Sequence, residues 1–191
     1  GRPAESTMSS FVHLHLHSNY SLLDGANRLQ DVIEAARDAG MPALALTDHG
    51  NMFGAVEFFL ACKKHGIKPI IGTEAYITAD RHNRNADKVG NKSYHMVLLA
   101  KNATGYRNLV KLSSLGYLEG FYYRPRIDRE LLSRYSEGVI GLTACMSGEP
   151  NWHLRNGNVP AAIEAASAYK EILGRDNYFL EIQNHGIEEE A

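Results

Sequence analysis

Short apolar runs at residues 11–16, 42–47, 67–76, 94–100, 139–143 and 178–182 alternate with stretches of helical periodicity. That alternation restricts the chain to few architectures, because strands separated by helical segments pack as βα units around a largely parallel sheet. After Gly25, Leu29, Val32, Ile33 and Ala36 recur at helical spacing, with Asn27 as N-cap and Gly40 as stop. Residues 53–64 predict a second helix ending at Gly66, and residues 106–118 a third whose buried stripe is Leu109, Val110, Leu112 and Leu115. Asp128 caps a helix over 129–135, and Pro160 opens another that runs to 173. The polar stretch 80–92 reads as a mobile loop.

With 191 residues and 44% hydrophobic content, one globular domain is the expectation. A net charge of −2 lacks the bulk basic character of a nucleic-acid-binding domain, so any contact with nucleic acid must be local. No apolar stretch approaches the length of a membrane span, which predicts no membrane partner. Cys62 and Cys145 sit in unrelated contexts, which points to a reduced, cytoplasmic protein and not to a disulfide scaffold. The residues ahead of Met8 lack the apolar core of a signal peptide. Residues 1–10 read as an appended start, and 11–191 as the domain.

The apolar runs share a second property: most close on a side chain able to bind a metal or move a proton. His15 and His17 end the first, Asp48 and His49 follow the second, and Glu74 lies late in the third. Cys145 follows the fifth and His185 the sixth. Parallel strands bring such ends to one cleft. His95 does not fit, because it begins its run; either that strand runs differently or His95 belongs elsewhere. Alternation aims His13, His15 and His17 at one face. His13 is then a third ligand, a residue orienting one, or a side chain pointing past the site.

Imidazoles, carboxylates and a thiolate together suit zinc or another borderline transition metal better than magnesium. There are more ligands than one ion can use. A carboxylate such as Glu74 can bridge two ions about 3.5 to 4 Å apart, the arrangement for in-line attack on a phosphate ester. Asp48 reads as orienting an imidazole, Cys62 as a small buried apolar residue, and His185 as lining the cleft. Arg124 and Arg126 flank Pro125 in an aromatic turn, which suits contact with a DNA backbone or a solvated loop.

Three motifs, HLHLHSNYSLLDG at 13–25, LTDHGNMFGAVEF at 46–58 and GIKPIIGTEAY at 66–76, closely resemble the PHP domain of bacterial replicative DNA polymerases of the C family, the polymerase III alpha subunits. The later YLEGF at 117–121 and RPRID at 124–128 are similar to the same polymerases and unlike the small-molecule phosphatases of the PHP superfamily. The resemblance runs from about Phe11 to His185. It implies a distorted (β/α)7-type barrel holding up to three ions, zinc or manganese, and a 3′–5′ exonuclease that proofreads mispaired DNA ends. His15 and His17 match the family's His-x-His motif, Asp24 the acid after it, His49 the His of Asp-His-Gly, and Glu74 the bridging glutamate. His95 and Cys145 match further ligands.

In the implied arrangement His15, His17 and Glu74, the residues carrying catalysis, hold one ion. Glu74, His95 and Cys145 hold a second, and Asp24 with His49 a third. The family's closing Asp-x-His motif is not found before Ala191, so the chain is expected to lack the last β/α unit of the barrel. The implied partners are the 3′ end of DNA, the remainder of the polymerase subunit and other replisome subunits. The alternative is a non-catalytic metal-binding scaffold that stabilises the polymerase and docks a separate proofreading subunit.

Overall fold

A computed structural model describes residues 11–84 and 92–186. Its helices are α1 (Leu29–Asp38), α2 (Ala55–His65), α3 (Ala103–Leu118), α4 (Arg129–Arg134), α5 (Glu149–Arg155) and α6 (Val159–Leu173). Its strands are β1 (Ala43–Leu46), β2 (Lys68–Thr78), β3 (Tyr94–Ala100), β4 (Arg126–Asp128), β5 (Val139–Leu142) and β6 (Tyr178–Phe179). They form a mixed α/β fold with one six-stranded sheet in the order β1-β2-β3-β5-β6, with β4 added on β2.

β2 organises the sheet. Its first half pairs in parallel with β1, its last residues pair in parallel with β4, and its other edge carries β3. β3 runs antiparallel to both β2 and β5, while β5 and β6 are parallel. Reversal of β3 places its beginning at the same end of the sheet as the ends of the other strands. That resolves the position of His95.

Apolar side chains from both faces of this sheet form the core. On one face Ile77, Leu98, Leu109, Leu112, Leu131 and Tyr169 pack between the strands and α3, α4 and α6. Beneath α1 and α2, Ile33, Leu44, Phe58 and Cys62 form a second cluster, which gives Cys62 the buried apolar role expected of it. Full burial of a side chain the size of Phe58 contributes about 2 to 3 kcal/mol.

Several expectations need correction. Residues 11–16 run extended beside β1 without forming a ladder: Ala45 N donates to His13 O, and Thr47 N to Leu16 O, but Leu16 N turns to the Thr47 side chain. Asn27 is not the cap of α1; Arg28 holds that position, and the Asn27 amide donates to His17 O. Val110 is exposed, because the buried stripe of α3 comes from Leu109 and Leu112 at spacing three. β4 and α5 were missed, the first being only three residues long and the second being built around Pro150 and Asn151, which lack helical propensity.

The loop expected over 80–92 is anchored at its start; residues 85–91 lie outside the described part. Arg81 is buried, donates to both oxygens of Asp128 at 3.0 Å, and also pairs with Glu119 and Glu130. Arg126 is wholly buried, with Nε on Gly120 O and Nη2 on Arg81 O, and burial lowers its pKa. Packing under the sheet, not a phosphate, occupies it.

The two edges of the sheet approach each other across an open groove of about 1450 Å³, lined by Phe11, Phe59, Leu60, Ile70, Phe179 and Leu180. At one end the gap is bridged: His15, beside β1, donates to Glu181, just after β6, at 2.7 Å. Among the described residues, no helix is long and apolar enough to cross a membrane.

Asp128 both caps α4, accepting from Leu131 N, and neutralises Arg81. Asp128→Ala is expected to destabilise the domain by about 3 kcal/mol, since it leaves a buried guanidinium short of its partner and a helix uncapped. Denaturant midpoints of the parent and variant check this; a shift equivalent to under about 1 kcal/mol would contradict it.

Candidate metal centre

Glu74 sits in the middle of β2 with its side chain almost fully buried. The backbone fixes it there: Glu74 N donates to Asp48 O, and Gly50 N donates to Glu74 O. The line of β1 thus continues past Leu46 and sets His49 beside Glu74 on one edge of β2. On the other edge, the β3 register places His95 opposite Tyr76.

Four imidazoles surround the one carboxylate. His15 Nε2 lies 3.3 Å and His95 Nδ1 3.1 Å from Glu74 Oε1. His49 Nδ1 lies 2.7 Å and His17 Nε2 3.3 Å from Oε2. Cys145 Sγ stands 3.9 Å from Oε1 and 3.8 Å from His95 Nδ1. The two carboxylate oxygens therefore face different sets of ligands. Two groups have ligand atoms all within 4.8 Å of one another: His15, His17 and Glu74, and His49, Glu74 and His95. His49 thus falls with Glu74 and His95 as well as with Asp24, whose Oδ2 lies 2.9 Å from His49 Nε2.

Surrounding loops hold these side chains in place. Asp48 was expected to orient an imidazole, and instead its buried carboxylate ties down the loop that carries Asp24. It accepts from Ser18 N, Ser18 Oγ and Ser21 Oγ at 2.7 to 2.8 Å. Cys145 follows a sharp turn in which Ala144 has a φ of +59°, a conformation costly for a residue with a Cβ. Ser147 N donates to the sulfur, and Asn151 secures the Cys145 carbonyl.

His13 and His185 are not among these ligands. Both are exposed and line the apolar groove, His13 edge-on to Phe11. Arg124 stands at the rim, with its guanidinium over Tyr76.

Two residues of the site were missed. Glu181 accepts from His15 Nδ1 at 2.7 Å, and Gln183 Nε2 donates to Glu181 at 2.6 Å. By holding Nδ1, Glu181 turns His15 Nε2 toward Glu74, as a carboxylate behind a ligating histidine does. The signal was available, since Glu181 also stands at the end of an apolar run.

The electrostatics follow from one buried anion among several imidazoles. Burial pushes the Glu74 pKa up, but His15, His49 and His95 outweigh it and hold the carboxyl far below its usual range. Burial likewise lowers His15 and His95, yet Glu181 and Glu74 raise His15 to about 10, while Cys145 and Glu74 raise His95 to about 9. His17 goes the other way, because burial dominates and neighbouring imidazoles add to it. For Cys145, burial raises the pKa and the His95 hydrogen bond reverses the shift to a net lowering.

The donor set fits a divalent transition metal. His49 Nδ1 and Glu74 Oε2 approach within 2.7 Å, yet both are buried without a hydrogen-bond partner. Ligand lone pairs aimed at a shared point leave this pattern. Imidazole, carboxylate and thiol together match borderline metals.

The chain matches the PHP domain model over residues 13–185. It is 52% identical over 182 residues to the DNA polymerase III subunit alpha of Treponema pallidum, covering 95% of this chain and 16% of that protein. The corresponding protein of Borreliella burgdorferi is 50% identical, with 97% of this chain and 16% of that protein covered. That of Campylobacter jejuni is 48% identical, with 94% and 16% covered. The chain thus spans about one sixth of the length of these curated relatives.

Proton and metal compete for the same nitrogens. Protonated His15 and His95 favour the metal-free fold, because their folded pKa values of about 10 and 9 exceed the ordinary 6.5. That stability is fully present below 6.5 and is lost as pH rises through 9 and 10. Chelator-treated protein is therefore expected to melt at a lower temperature at pH 9 than at pH 6.5, and apparent metal affinity to rise over the same interval. Thermal melts with and without chelator check it; equal midpoints at the two pH values would contradict it.

Proposed function

Because the chain belongs to the PHP domain family, we propose that it is the PHP domain of a bacterial replicative DNA polymerase III alpha subunit and acts as a metal-dependent 3′–5′ exonuclease. The observation that carries this reading is Glu74: one buried carboxylate within 2.7 to 3.3 Å of four imidazoles, shared by two groups of candidate ligands. A bridging carboxylate of this kind suits two cations acting on one phosphodiester.

His15, His17 and Glu74 would hold one ion, and His49, Glu74 and His95, with Cys145 beside them, a second. Asp24, on the far side of His49, would serve a third. Zinc or manganese suits this set. When bound, such ions supply Lewis-acid stabilisation of the charge that develops on a phosphate. The residues of the chain do the rest. Glu181 holds the proton of His15 at Nδ1 and leaves Nε2 directed inward. Asp48 keeps the Asp24 loop closed over His49.

The same reading takes the sheet as part of a (β/α)7-type barrel, with the DNA 3′ end, the rest of the polymerase and other replisome subunits as partners in the cytoplasm.

In the full-length protein, Glu74→Gln and His15→Ala are expected to slow removal of a mismatched 3′ nucleotide by at least about 100-fold while primer extension on matched ends persists. Metal analysis of the same samples is expected to show loss of bound ion. If Glu74→Gln degrades single-stranded DNA as fast as the parent, the catalytic reading is wrong and the non-catalytic scaffold takes its place. Glu181→Ala is expected to weaken metal binding by roughly 10- to 100-fold without removing a ligand, measured by competition with a chromogenic chelator.

A further inference from the structure

Arg124 is exposed, and its guanidinium carbon lies 4.6 Å from the centroid of Tyr76. Tyr76 stacks on His49 at 5.9 Å and 14°, and His49 on His17 at 4.1 Å and 16°. A continuous stack therefore joins two candidate ligands to an arginine at the rim of the cleft. Arg81, Arg129 and Arg134 each pair with a carboxylate, whereas among the described residues none pairs with Arg124. Its face is held by a ring and its donor edge is open, which suits a planar bidentate contact with a phosphate.

The local backbone is built to hold this position. Gly50 has a φ of +62°, and a Cβ there would lie 2.7 Å from Pro125 Cγ and 3.2 Å from the Tyr76 ring. Its absence lets the turn containing Arg124 seat against Tyr76 and the Asp48-His49 turn. Tyr123 holds a φ of +58°, which is strained for a bulky residue, and its side chain is 81% exposed. Burial gives no reason to keep an aromatic residue in that conformation. An exposed ring next to an arginine with no carboxylate partner among the described residues is the combination that grips single strands, with the ring under a base and the cation on the backbone.

We propose that Tyr123 and Arg124 form the docking site for the nucleotide upstream of the scissile bond, with Arg124 on the phosphate one step back from the terminal diester and Tyr123 beneath its base. The proposal rests on the nuclease reading above. It makes the chain selective for polynucleotide ends over isolated phosphodiesters.

A dinucleotide carries the scissile diester alone, and a trinucleotide adds one upstream phosphate. With metal-loaded, full-length protein, the parent cleaves the trinucleotide with a kcat/KM about tenfold above that of the dinucleotide, the effect of one charge-assisted hydrogen bond. Arg124→Ala abolishes that preference by slowing the trinucleotide only, and flattens the log–log salt dependence of its KM by roughly 0.7. Arg124→Lys recovers part of both.

A variant that keeps the preference overturns the proposal. So does one that slows both substrates equally, which makes the turn a structural element or a surface for another protein. A parent that cleaves both substrates equally overturns this proposal alone, and a parent that cleaves neither overturns the nuclease reading and this one with it.

Discussion

An ionised carboxylate in the middle of a sheet costs several kcal/mol unless opposite charge and hydrogen bonds compensate it. Glu74 is such a group, and much of the local architecture follows from its need for compensation. β1 continues to His49 on one edge of β2, β3 reverses so that His95 arrives at the other, and the extended segment beside β1 delivers His15 and His17. In the metal-free state, imidazolium charge supplies the compensation, and cations can replace it. The same constraint that makes the site expensive to form therefore makes it a candidate site for cations.

Much of this was legible in the sequence, because apolar runs ending in His, Asp, Glu or Cys mark strand ends independently of any likeness to other chains. His49 and Cys145 followed from that rule, whereas Glu74 lies inside β2, which continues to Thr78. His95 violated it, and the reason is topological: strand direction is set by pairing between distant segments, which periodicity does not record. The two arginines flanking Pro125 show the same limit. They share composition and neighbourhood, yet β4 pairing turns Arg126 inward, while Arg124 stays exposed over Tyr76. Asn27 was misassigned because an amide can serve a neighbouring loop as readily as a helix end, and here it takes the His17 carbonyl.

Residues outside the candidate ligand set do as much to define the centre as the ligands. Asp48 touches none of the neighbouring imidazoles through a hydrogen bond of its side chain among the described residues, yet it organises the loop from Ser18 to Gly25. Glu181 and Gln183 fix the ring of His15 from behind. Ala144, in its left-handed turn and packed with Val97 and Leu142 in the core, sets the direction in which the chain enters Cys145. Such support makes the positions of the ligands a property of the whole sheet.

The bond between His15 and Glu181 joins residues 166 positions apart in the chain. Contacts of that separation carry a loop-closure cost that a local contact does not. During synthesis from the N-terminus, His15, His17, His49 and Glu74 emerge well before the carboxylate that orients the first of them. The orientation of His15, near the start of the chain, is therefore set by the far edge of the sheet and not by the residues that follow it in sequence.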